Sequence, residues 1–215
     1  MSDQKISALT PATSLTAADQ FAVVQSSTSK SATASVVRQY IGAGLTNAST
    51  STVSAGYAVD TYLANSAVTI ATAGGWKVGT QYVCYFDMAK TNVGTAAFTV
   101  IVRMGTLGTT GDAAILTMAF GAGTAAADTG NFTVQVNFRS VGSGTSAVIA
   151  GDMECRHNLA ATGLVSTGAG GVGVVTNQIS AGFNSTTQTI IGLSVNGGAS
   201  FSGTNTLVQA YALNV

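Results

Sequence analysis

His157 is the only histidine in the 215 residues, so any imidazole chemistry in this chain must pass through one side chain. Asp152 and Glu154 precede it closely, and carboxylates near an imidazole are metal-ligand types. On a strand, however, Asp152 and Glu154 share one face and His157 takes the other. A polar cluster that includes Arg156 fits the spacing better than a cation site. A Ser–His–Asp relay would also need His157, and no serine sits in a strand–turn–helix elbow. Asp87, Asp112 and Asp128 fall near strand ends or turns. Glycoside hydrolysis needs two carboxylates at a set separation, and nothing in the spacing pairs any two of these. Gly168-Ala169-Gly170-Gly171-Val172-Gly173 matches GxGxxG, but a pyrophosphate site needs a helix after it. Val174-Val175-Thr176 reads as a strand instead, so the glycines are a turn. The expectation is a chain with no catalytic residue, no metal and no cofactor, and hence not an enzyme.

Cys84 and Cys155 lie in apolar, strand-like runs, where a free thiol behaves as a small hydrophobe. Two cysteines are too few for a disulfide scaffold. Trp76, Tyr82, Tyr85, Phe86 and Tyr57 could stack on sugars, but aromatics at strand spacing serve more often as core or interface anchors.

The elements that would carry these residues are strands. Phe132, Val134, Val136 and Phe138 alternate with Thr133, Gln135, Asn137 and Arg139, the period of a half-buried strand. Further runs cover 82–88, 97–104, 113–120, 147–155, 173–181, 189–196 and 207–213. Leu207, Gln209, Tyr211 and Leu213 form one face of the last. Short strands between glycine turns predict an all-β sandwich, and eight of them suit a jelly roll. Residues 67–215 are assigned to this jelly-roll-like β-sandwich. Residues 46–66, rich in Ser, Thr, Asn and Ala, read as a linker. Residues 1–45 form a small extended N-terminal segment. There Ile6, Leu9 and Leu15 are spaced around Pro11, and Phe21 and Val23 mark a short strand. A return strand runs from Lys30 to Ala34, and a short helix carries Tyr40 and Ile41. These elements are too few to build a core of their own.

Charged residues make up 7% of the chain with a formal net charge of 0, against about 25% charged in an average domain. Nucleic-acid binding needs a basic field, so it is excluded, as is a polybasic membrane patch. No stretch approaches the roughly 20 apolar residues of a membrane helix, and the first residues lack a signal-peptide core. Apolar residues at 46% favour a folded chain over a disordered one. So few charges do little to keep subunits apart, which predicts self-association.

Lys5-Ile6-Ser7-Ala8-Leu9-Thr10-Pro11-Ala12-Thr13, with Leu15-Thr16-Ala17-Ala18-Asp19-Gln20-Phe21-Ala22-Val23-Val24-Gln25, resembles an N-terminal segment of tailed-bacteriophage fibres and head fibres. Ala73-Gly74-Gly75-Trp76-Lys77-Val78-Gly79-Thr80 and His157-Asn158-Leu159-Ala160 resemble parts of phage structural proteins with a small β-sandwich. The resemblance implies a virion surface protein, assembled in the host bacterial cytoplasm, that docks on the major capsid protein or another virion protein. Its particle-anchoring residues would be Ile6, Leu9, Leu15, Phe21, Val23, Tyr40 and Ile41. A homotrimeric head fibre or capsid decoration protein is expected first. A short tail fibre recognising a host surface glycan is the alternative.

Overall fold

The structure is a computed structural model that describes residues 20–25, 28–33, 45–70, 73–91, 93–157, 163–165 and 174–215. The chain divides into two compact units, Met1–Ala43 and Gly44–Val215. In the first, β1 (Gln20–Gln25) and β2 (Thr28–Thr33) form an antiparallel hairpin whose register runs from Gln20↔Thr33 to Gln25↔Thr28. Phe21 pairs with Ala32 and Val23 with Lys30. Ile6, Leu9, Leu15, Tyr40 and Ile41 lie outside the described residues, as does the helix expected to carry the last two.

The second unit is a sandwich of two antiparallel sheets. Its strands are β3 (Leu45–Ser49), β4 (Val53–Gly56), β5 (Thr61–Tyr62), β6 (Val68–Thr69), β7 (Gln81–Lys90), β8 (Ala97–Gly105), β9 (Ala113–Ala122), β10 (Asp128–Ser140), β11 (Val148–His157), β12 (Val174–Ile179), β13 (Ile190–Asn196), β14 (Gly203–Asn205) and β15 (Val208–Leu213). The larger sheet runs β12-β11-β10-β7, and β7 then pairs β14 and β15 on one edge. β4 continues from β14 and β3 from β15. The smaller sheet runs β9-β8-β13, with β5 and β6 sharing the far edge of β13. Each of the eight long strands expected from the sequence is present.

The stretch 46–66, which composition reads as a linker, is instead part of the sandwich. β3 pairs β15 from Leu45↔Ala212 to Ser49↔Val208, and β5 pairs β13. Tyr57 and Leu63 are fully buried. An edge strand exposes much of both faces, so Ser, Thr and Asn suffice for it and its pattern resembles a tether. Tyr57 follows Gly56 with a φ of 57°, a left-handed conformation that is uncommon for a bulky side chain. Its buried hydroxyl is bonded to Asn205 Oδ1, which anchors the bend between β4 and β5 to β14.

The core lies between the sheets, with Phe132 at its centre. The Phe132 ring stacks on Phe86 of the same sheet at 4.8 Å and meets Phe98 of the opposite sheet at 4.7 Å. Phe120, also opposite, is 6.0 Å away. Such pairs add about 0.5–1.5 kcal/mol beyond the area they bury. Trp76, 2% exposed, stacks on Phe138 at 5.3 Å and donates its indole N–H to Gln188 O. Among the described residues, no helix is long and apolar enough to cross a membrane.

Candidate functional site

β11 alternates as the sequence implies. Met153, Cys155 and His157 face the core, whereas Asp152 and Glu154 face outward, the latter ion-paired at 2.8 Å to Arg156. His157 instead meets Asp128 of β10, its Nδ1 lying 2.9 Å from Asp128 Oδ2, and neither side chain has any exposed surface. With the Nδ1 proton donated to Asp128, Nε2 is the lone-pair nitrogen of the neutral ring, and it has no hydrogen-bond partner among the described residues. Asp128 also accepts from Leu164 N at 3.0 Å and from Thr129 N at 2.8 Å. Lys90, opposite Asp128 on β7, is buried and donates to the carbonyls of Thr124 and Gly163. Desolvation lowers its pKa, an effect that the Asp128 charge opposes. Asp128 does lie at a strand end, as the sequence implies, and it bonds locally to Thr129, but its further partners are distant in sequence. The carboxylate ties three separated stretches of chain together at one end of the core. Gly163 closes this end with a φ of 82°, and a Cβ there would sit 2.3 Å from Asp128. A His–Asp pair has the chemistry of a relay, but among the described residues this one presents no exposed surface to a substrate.

The other carboxylates considered from the sequence also hold backbone. Asp112 accepts from the N–H groups of Thr106, Leu107 and Gly108, fixing the loop between β8 and β9. Asp87 accepts from Thr206 N and Leu207 N, where the chain passes from β14 to β15 along one edge of β7. Arg103, buried on the outer face of the smaller sheet, bonds Ser194, the carbonyls of Thr110 and Asp112, and Asp60. Cys84 and Cys155 are free thiols in the core, both pushed up to about 12 chiefly by burial. The glycines at 168–173 lie outside the described residues.

One concave feature stands apart from this bonding. The outward faces of β10, β11 and β12 form a groove of about 710 Å3 floored by Ala150 and Gly151. The ladder sets Asn137, Ala150 and Ile179 side by side, with Gln135, Asp152 and Asn177 on the next rung. Arg139 closes the β10 side. Asp152, Arg139, Asn177 and Gln178 have no hydrogen-bond or ion-pair partner among the described residues. Partial burial, and next the Glu154 charge, hold the Asp152 carboxyl above its ordinary pKa. Sequence reasoning put Asp152 on the face opposite His157 but did not single out Arg139 or Asn177 as site residues. The alternation of β10 puts Asn137 and Arg139 on one face; the adjacency of β12 is the part that the sequence does not carry. Of the aromatics considered as sugar platforms, Tyr57, Trp76, Tyr82 and Phe86 are core, and Tyr85 alone is exposed, at 38%, with its ring 6.3 Å from Tyr211.

No protein-family model matches the chain, and no curated protein does either. Among solved structures, one of infectious bursal disease virus, Gx strain, is similar over 89% of this chain and 45% of that one, at 10% identity and a TM-score of 0.23. A likeness that weak carries no argument about fold or function.

Proposed function

We propose that the chain is a non-enzymatic structural protein displayed on the surface of a viral particle. The form favoured is a homotrimeric head fibre or capsid decoration protein of a tailed phage, docked on the shell through residues 1–43. One observation carries the structural half of this reading: the groups best suited to catalysis are engaged in holding backbone. His157 and Asp128 are sealed in the core, Asp87 and Asp112 are occupied by backbone N–H groups, and both thiols are buried. General acid–base work needs a group within reach of a substrate proton. The particle half rests on the residues at 5–25 that resemble phage fibre N-termini. Self-association is supported by the sparse charge and by exposed Val78, Leu207 and Leu213 along the β7–β15 side. The mechanism is attachment: copies on a symmetric shell act together through effective concentration.

The test is to purify particles on a density gradient from a lysate carrying this gene and probe them with an antibody against residues 44–215. Co-sedimentation at a fixed copy number supports the reading, and confinement of the chain to the soluble fraction overturns it. Light scattering of the purified chain should give three times the 21.3 kDa of one copy; a stable monomer at micromolar concentration removes the trimer. The second reading, a short tail fibre that recognises a host surface glycan, is favoured by the outward groove.

A further inference from the structure

We infer that the groove across β10, β11 and β12 is a carbohydrate-binding site, read by Asp152, Arg139 and Asn177. The starting point is an asymmetry in how charge is used. In residues 44–215, every other Asp, Glu, Lys and Arg side chain is hydrogen-bonded or ion-paired, including exposed Lys77, which reaches Val215 O, and Arg156. Arg139 and Asp152 alone, among the described residues, have neither kind of bond, and both line the same groove. One unengaged amide, that of Asn177, lines it on the same face.

The unmet groups define the ligand. Asp152 offers only acceptors, Arg139 only donors, and the Asn177 amide offers both. A ligand that satisfies all of them must present donors and acceptors in close alternation. A sugar hydroxyl is both at once, and a vicinal diol spans a carboxylate or an amide with two bonds. The small side chain of Ala150 leaves room for a ring, and Ile179, 56% exposed, gives an apolar wall for its C–H face. An extended peptide fits less well, because its side chains would leave the Asp152–Arg139 pair to chance. Stability gives no reason to keep Asp152 where it is, since the carboxylate is partly desolvated beside Glu154 and gains no bond. The inference does not rest on the particle reading: a chain absent from virions can still bind the sugar.

The test uses the full chain on a printed array of neutral, amino and acidic bacterial oligosaccharides, followed by calorimetry with each soluble hit. Wild type should bind at least one glycan. Asp152→Asn should weaken that binding by about tenfold, the size of a lost hydrogen bond to a charged group, and Asn177→Ala should also weaken it. Thr117→Ala, exposed on the opposite sheet, should bind as the parent does. Asp152→Asn should melt no lower than the parent at neutral pH, so that binding and stability move separately. Absence of binding to every glycan overturns the inference, and so does equal affinity in the two groove variants.

Discussion

Asp128→Ala should be far more damaging than the loss of a turn residue. A carboxylate that merely shaped its own turn would be worth about 1 kcal/mol. Here its removal strands the buried His157 ring and the N–H of Leu164, each a donor with no water to replace the acceptor. A buried donor left unpaired costs about 1–3 kcal/mol. Thr129 is exposed and its N–H part-buried, so losing that bond adds less than either buried donor. Lys90, opposite on β7, loses the nearby charge that supports its ammonium form. Together, two buried donors stranded at once and a lysine deprived of its neighbouring charge predict a loss of about 3–5 kcal/mol. That corresponds to a melting point lower by about 10 °C for a domain of this size. Asp128→Asn keeps one acceptor oxygen and should lose less. The assay is urea unfolding followed by the fluorescence of Trp76, the sole tryptophan, which is stacked on Phe138 in the core. Should Asp128→Ala not fold, Asp128→Asn and His157→Gln, singly and combined, carry the test. Their effects should couple by at least about 0.5 kcal/mol, as for groups in one network. A loss under about 1 kcal/mol in Asp128→Ala, or strict additivity in the cycle, would refute the assignment of a structural lock.

The Asp152 carboxyl has its pKa raised in the fold, so the folded state favours the protonated form. Its contribution is fully present below the unfolded value and is lost as pH rises through the folded one. Asp152→Asn should therefore equal or exceed the parent in melting temperature at pH 7 and lose that advantage in strong acid, which melts at the two pH values will check. Cys84 and Cys155, with pKa values of about 12, should resist a thiol reagent at pH 8 until urea unfolds the chain; prompt labelling of native protein would contradict their burial. Deleting residues 1–43 should leave a folded sandwich, whereas deleting 1–56 should uncover the edges of β14 and β15 and cause aggregation, as read by light scattering. Equal behaviour of the two truncations would restore the linker reading of 46–66.

What was legible in the chain was what alternation encodes. Phe132, Val134, Val136 and Phe138 were expected on one face and all lie in the core. Asp152 and His157 were expected on opposite faces of one strand, and they are. β5 and β6 were not legible, because each is two residues long and exists only where β13 supplies the pairing. On β15 the large residues mislead. Tyr211 and Leu213 point outward, while Val208, Ala210 and Ala212 are buried, next to Phe86, Cys84 and Tyr82 of β7. The His157–Asp128–Lys90 cluster joins three strands through non-local pairing that no local spacing reveals.

The groove and the particle reading make different demands on affinity, and symmetry reconciles them. A shallow, open site contacting one or two sugar rings through a few hydrogen bonds binds weakly, because each bond replaces one made to water. Weak binding at one site is of little use to an isolated chain, yet linked sites raise overall avidity by about 10²–10⁴ when geometry lets them engage together. A sparsely charged sandwich would suit such an array, since neighbouring copies would repel one another little. The two unengaged charges within it are then the expected departure from local optimisation, because a binding site retains bonding capacity that the fold itself leaves unused.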